Sequence, residues 1–172
     1  MINILNELNL AWKQADLVEL ENLVDFILRK KSNSFVGLGA GRMGYSLQSF
    51  IMRLSHLGLK SFMIGDTTVP RINENSVVLI NSSSGETESI KLYAQQAKDA
   101  GSSIVLFTSN LNSSISKLSD IIIYLPKIET KQIMKTIYEQ YSFLLFDHLV
   151  MMLINKLQLD KELIETNHSI LE

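Results

Sequence analysis

The tract Asn81-Ser82-Ser83-Ser84-Gly85-Glu86-Thr87 carries the residue types from which a phosphate site is built. It follows Ser76-Val77-Val78-Leu79-Ile80, an apolar run that reads as a buried strand, and precedes Glu88 to Ala100, which reads as a helix. Free N–H groups at a helix start and the helix dipole both favour an anion there. Serine and threonine hydroxyls add donors, and Gly85 lets the backbone approach a ligand closely. The plain alternative is a serine-rich loop with a helix cap. A second loop of the same kind, Gly39-Ala40-Gly41-Arg42-Met43-Gly44, follows the strand-like Phe35-Val36-Gly37-Leu38. It matches G-x-G-x-x-G, and Asp66 lies near the acidic position of a dinucleotide fingerprint. A dinucleotide site, however, needs no second hydroxyl-rich cradle, and Arg42 suits a phosphate monoester.

Two such loops require a scaffold that presents both on one edge. Strand-like runs at Phe35–Leu38, Lys60–Ile64, Val77–Ile80, Ser103–Phe107 and Ile121–Leu125 alternate with helical stretches. Near-continuous apolar strands of this kind belong to a parallel sheet covered on both faces. The expected fold class is α/β: a three-layer α/β/α sandwich on a five-stranded parallel sheet, in which loops after strands share one crevice. Residues 1–31 read as helical, with a break near Ala15 and Asp16 as a cap. The last third reads as one long helix, about 131–159, apolar on all sides, followed by a short tail. Such a helix must be buried on more than one face. The expectation is a homo-oligomer with this helix in the contact.

The chain has 172 residues, no cysteine and a formal charge of -2. Length points to one domain. The absence of cysteine excludes a disulfide scaffold and a thiolate nucleophile, and fits a cytoplasmic location. The charge provides no field to recruit nucleic acid. No apolar run is long enough for a membrane span, and Met1 to Glu7 lacks the basic start of a signal peptide. His56, His148 and His168 are too scattered to form a metal site. His56 reads as buried and hydrogen-bonded, and His148 as an interface residue.

Taken together, Val36 to Gly44, Met52-Arg53-Leu54-Ser55-His56-Leu57-Gly58, Gly65-Asp66-Thr67-Thr68-Val69-Pro70-Arg71 and Ser84-Gly85-Glu86-Thr87 resemble a sugar isomerase (SIS) domain. Within that superfamily they are most similar to the 6-phospho-3-hexuloisomerases, and Asn167 to Glu172 resembles that family's ending. The resemblance implies a flavodoxin-like sandwich assembling as a tetramer. It implies interconversion of 3-hexulose 6-phosphate and fructose 6-phosphate in the ribulose monophosphate pathway, with no metal and no organic cofactor. Moving a carbonyl from C3 to C2 requires a base beside the ketone and a donor for the developing oxyanion. A remote phosphate supplies binding energy. Ser82, Ser84 and Thr87, with the backbone of Gly85 and Glu86, are the expected phosphate ligands, and Gly41 and Arg42 the expected substrate contacts. Thr136-Ile137-Tyr138-Glu139 matches the second half of a family block opening the last helix, which makes Glu139 the candidate base. Apolar neighbours beside Tyr138 would strengthen it as a base. His168 is the candidate acid or ring-opening residue, from its own or a neighbouring subunit.

Four departures from the family pattern surround this pocket. Met43 stands in place of a serine, Ser83 in place of a glycine, Lys135 in place of a glycine and Ile133 in place of a proline. They leave two other readings open: a sugar-phosphate-binding SIS protein without turnover, and an isomerase of a different phosphosugar.

Overall fold

The computed structural model describes residues 3–168. Five strands, β1 Ser34–Gly39, β2 Lys60–Met63, β3 Ser76–Asn81, β4 Ser103–Thr108 and β5 Ile121–Tyr124, form one sheet in the order β2-β1-β3-β4-β5. All neighbours are parallel, with Val36 opposite both Phe62 and Val78, and Ile80 opposite Leu106. All six residues of β3 are buried, as a central strand covered on two faces must be. Alternation along each strand divides the core in two. Phe35, Val77, Leu79, Val105 and Phe107 face the larger cluster, and Leu38, Val78, Ile80, Ile104 and Leu106 face the smaller one.

The helix after β1, α3 (Gly41–His56), packs in the larger cluster, while the helix after β3, α4 (Glu88–Asp99), packs in the smaller. From β1 the chain winds to one side of the sheet and from β3 to the other. The crevice of a doubly wound sheet opens at that switch point, outside the carboxyl ends of the strands. Both glycine-bearing loops therefore start from adjacent strands at one edge. Two N-terminal helices, α1 (Ile4–Trp12) and α2 (Leu17–Arg29), complete the larger layer. The Asp16 carboxylate accepts from the amides of Val18 and Glu19 at 3.0 Å, the cap expected of it.

The last long helix, α5, spans Thr136–Leu157 and starts later than its apolar pattern suggests. Residues 131–135 instead belong to a loop that is tied to α1. Glu7 accepts from the Thr130 hydroxyl at 2.7 Å and from Gln132 Nε2 at 2.6 Å, and Thr130 Oγ1 also accepts from the Gln132 amide. These side-chain bonds compete with helical ones, and Met134 adopts φ 54° immediately before the helix. Gln158 ends α5 in the left-handed region, and a short helix, α6 (Lys161–Thr166), follows.

Phe146 anchors α5. It stacks on Phe50 of α3 at 5.0 Å and meets Phe107 of β4 edge-on at 4.9 Å, pairs worth about 0.5–1.5 kcal/mol each beyond burial. Phe143, Leu144 and Met151 remain exposed on the far side of α5. Among the described residues no helix is long and apolar enough to cross a membrane.

Candidate active site

The serine loop is held from three directions. The Ser82 amide donates to Phe107 O, the Ser83 carbonyl accepts from Thr108 Oγ1 and the Ser109 amide, and the Gly85 carbonyl accepts from the Ile115 amide. The amides of Gly85 and Glu86 donate to Ser82 Oγ and Ser84 Oγ, each at 3.2 Å. Each hydroxyl thus accepts locally and keeps its own hydrogen to donate; Ser84 is exposed, whereas Ser82 is buried. Thr87 occupies the N-cap position of α4, but its side chain makes no capping hydrogen bond. Glu86 turns its carboxylate away from the cradle, to the Ser114 amide at 2.7 Å. That backbone hydrogen bond, joined by the Ser114 side chain, holds its carboxyl below the usual carboxylate range. Glu86 therefore braces the loop through its carboxylate, while its amide is engaged by Ser84 Oγ. Ser83 needs no special backbone: in this tract only Gly85 has positive φ, at 63°.

The first and third glycines of the β1 loop serve packing. A Cβ on Gly44 would lie 2.7 Å from Gly39 O, so strand and helix meet backbone to backbone. Asp66, the acidic residue of the dinucleotide reading, accepts from the Met63 amide and closes the turn after β2.

Behind both loops lies a buried polar network. The Asn81 amide group donates to Met43 O and Ser46 Oγ, both at 3.0 Å, and reaches Ser142 Oγ at 3.4 Å. The Tyr138 hydroxyl has one hydrogen for two acceptors, Asn81 Oδ1 at 2.6 Å and Phe107 O at 2.9 Å. Burial pushes that phenol well above its ordinary range. The network joins the end of β3 to the first turns of α3 and α5. Nothing in the sequence reading named Asn81 as its centre. The signal available was a polar residue ending an otherwise apolar buried strand.

Tyr138 points inward, and Glu139, the next residue, points to the other side of α5. Glu139 is largely buried and meets Arg42 as well as the rings of its cleft. Its Oε2 lies 2.6 Å from Arg42 Nε; the Glu139 side chain is 13% exposed and that of Arg42 64%. The two candidates line a cleft of about 400 Å³ with Tyr45, Ser46, Gln140 and Phe143. Ser83 and Ser84 line a second cleft, of about 350 Å³, with Ser109, Asn110, Lys127, Lys135 and Tyr138. Met43 is the link between the two sides: it follows Arg42, and its sulfur accepts from the Ser83 amide at 3.4 Å.

His168 does not join this constellation within one chain. Its ring lies 4.9 Å from that of His56, and the Asn167 side chain donates to His56 O. His56 ends α3, about 22 Å along the helix from Gly41 at 1.5 Å per residue. His56 itself is buried, with Arg53 Nη1 3.3 Å from its Nδ1. His148 packs edge-on against Trp12 of its own chain at 4.8 Å. The remaining tail positions, 169–172, lie outside the described residues.

Residues 30–150 match the model of the SIS domain. This chain belongs to the SIS domain family. It is 35% identical to the 3-hexulose-6-phosphate isomerase of Bacillus subtilis, across 98% of this chain and 95% of that protein. It is 31% identical to the 3-hexulose-6-phosphate isomerase of Methanocaldococcus jannaschii, across 93% and 86%. Among solved structures it is similar to a Methanococcus jannaschii protein whose structure infers a 3-hexulose-6-phosphate isomerase function. The TM-score is 0.87 at 28% identity, covering 98% of this chain and 97% of the other. Strand order, parallel register and the two loops at one sheet edge are thus those of an SIS domain.

Proposed function

We propose that this SIS domain is a phosphosugar isomerase that interconverts 3-hexulose 6-phosphate and fructose 6-phosphate through a cis-enediol. The observation that carries the reading is the pairing of Glu139 with Arg42 at the carboxyl edge of the sheet, beside the serine cradle. Near-full-length similarity to proteins named 3-hexulose-6-phosphate isomerase supports the choice of sugar. In this reading Ser82, Ser84 and Thr87 hold the phosphate, joined by the amides of Gly85 and Glu86 as these exchange their bonds to Ser82 Oγ and Ser84 Oγ for the anion. Glu139 takes the hydrogen of C2 as a proton while the C3 carbonyl becomes an enediol oxygen, and Arg42 stabilises the charge that develops. Return of the proton to C3, with the hydroxyl proton moving from O2 to O3, leaves the carbonyl at C2. Gly41, at φ 57° with open space around it, lets the loop backbone approach the sugar.

His168 is the acid or ring-opening residue in this scheme, contributed by a neighbouring copy, because its own chain holds it at the far end of α3. The exposed Phe143, Leu144 and Met151 of α5 support a homo-oligomer, taken as a tetramer, with this helix in the contact. The setting that suits this chemistry is the ribulose monophosphate pathway in the cytoplasm, without metal or organic cofactor.

The test is solvent-deuterium incorporation into fructose 6-phosphate by the wild type and by Glu139→Gln. Exchange at C3 that is lost in the variant is expected. A second reading, sugar-phosphate binding without turnover, is favoured by the Met43 sulfur on the Ser83 amide and by Lys135 in the serine-side cleft. No exchange by the wild type, with binding still seen as a thermal shift, would select it.

A further inference from the structure

Gln140 follows the proposed base on the first turn of α5 and lines the same cleft. Among the described residues, Glu139 Oε2 and Gln140 Oε1 are buried side-chain oxygens with no hydrogen-bond partner. Arg42 Nε lies close to the first, but its N–H is not aligned for a hydrogen bond. A buried oxygen without a donor is destabilising, so such a group calls for an explanation in terms of what occupies the site. Of the cleft's own donors, Tyr45 is exposed and its hydroxyl bonds neither oxygen. The Ser46 hydroxyl is committed to Met43 O and Ser142 Oγ, Arg42 faces Glu139, and Phe143 has no donor. Two acceptors on residues that line one cleft, beside a guanidinium, suit a ligand rich in hydroxyl donors, as a sugar chain is.

We propose that Gln140 is a specificity-determining residue of this site. Its carboxamide oxygen accepts from a sugar hydroxyl on a carbon flanking the C2–C3 pair, at C1 or C4. This rests on the isomerase reading and extends it. The contact would orient the carbon chain so that the hydrogen to be removed faces Glu139. It would also discriminate against sugars lacking that hydroxyl, because the analogue leaves the oxygen unpaired again. Outside the sugar-bound state the residue weakens the fold, as functional groups held without partners do.

The experiment compares wild type and Gln140→Leu by deuterium exchange into fructose 6-phosphate and into its 1-deoxy and 4-deoxy analogues. Thermal unfolding and sedimentation are measured in parallel. Leucine removes the orphaned oxygen, so its melting temperature should equal or exceed that of the wild type. The expected result is a loss of about tenfold in kcat/KM on fructose 6-phosphate, the size of one neutral hydrogen bond. For the one deoxy analogue that lacks the partner hydroxyl, the two proteins should become equal. Wild-type exchange that is indifferent to both missing hydroxyls overturns the assignment without any variant. So does a Leu variant as active as the wild type. Dissociation of the oligomer in the Leu variant overturns it in favour of a second copy as the partner of Gln140. If the wild type exchanges no deuterium at all, the isomerase reading fails and this assignment fails with it.

Discussion

Replacing Gly85 by alanine tests whether the serine loop is held as rigidly as its contacts imply. Two costs add. Gly85 has φ 63°, a conformation that costs an L-residue about 1–2 kcal/mol. An added Cβ would also lie 2.0 Å from Ser113 Oγ and 2.5 Å from Ser113 Cβ. Ser113 cannot simply turn away. It is fully buried, its hydroxyl is 2.7 Å from Ser116 Oγ, and it accepts from the Ser116 amide at 3.1 Å. Overpacking at such a site costs about 1–3 kcal/mol. The sum, about 2–5 kcal/mol, corresponds to a fall in melting temperature of about 4–20 °C for a chain of this size. Urea unfolding of Gly85→Ala alone and in a Ser113→Gly background separates the terms. Removing both Ser113 atoms should relieve the clash and leave only the backbone cost, a coupling of about 1–3 kcal/mol. A Gly85→Ala protein that melts within about 1 °C of wild type would refute the argument. An undiminished penalty in the Ser113→Gly background would refute the clash and keep the backbone cost alone. Affinity for the sugar phosphate should fall with the distortion, since Ser84 and Glu86 flank the displaced residue.

Other perturbations address the remaining contacts. Met43→Ser removes the sulfur from the Ser83 amide and should lower KM for the phosphosugar by about threefold to tenfold, the worth of one freed amide donor; an unchanged or raised KM would show that the thioether does not compete with the ligand. Tyr138→Phe leaves Asn81 Oδ1 without its buried donor, while Phe107 O keeps the Ser82 amide, and should cost about 1–3 kcal/mol by urea unfolding; a cost under about 0.5 kcal/mol would remove the network from the stability account. Burial pushes the Tyr141 phenol up to about 12. Because the unfolded chain would lose that proton earlier, its contribution to stability is complete below pH about 10 and is gone above about 12, which ultraviolet titration of a Tyr141→Phe protein would reveal by difference. The side-chain hydrogen bonds from Gln132 and then Thr130 hold the Glu7 carboxyl below its ordinary value. Its contribution is present above that ordinary value and is lost as pH falls through the depressed one. Amide exchange at 130–135 should rise there, and should already be high at neutral pH in Glu7→Gln.

The order of elements was open to reading because its signals are local. Apolar runs such as Val77 to Ile80, stopped by hydroxyl residues or glycine, mark buried parallel strands wherever they occur. Asp16 caps α2 with its own side chain, two and three residues away. The serine cradle is likewise a property of one short tract. What the linear order could not reveal is which side chains meet. Ser46 and Ser142 share a hydrogen bond across 96 positions, and Gln132 and Glu7 across 125. The second contact is why α5 begins at Thr136, since helical periodicity through Ile133 and Met134 is overruled by a loop bonded to α1.

The same limit holds at the site. The adjacency of Tyr138 and Glu139 suggested shared apolar surroundings, but successive residues on a helix face different ways, so one meets Asn81 and the other Arg42. Residue identity determined that this chain builds a parallel sheet with two glycine-bearing loops and a carboxylate at the start of its last long helix. Only the tertiary structure decided that Arg42 faces that carboxylate, that the Met43 sulfur takes the Ser83 amide, and that His168 lies at the opposite end of α3. Backbone periodicity is written in near neighbours, whereas these contacts depend on how helices of set length cross the sheet and where each crossing brings its side chains out.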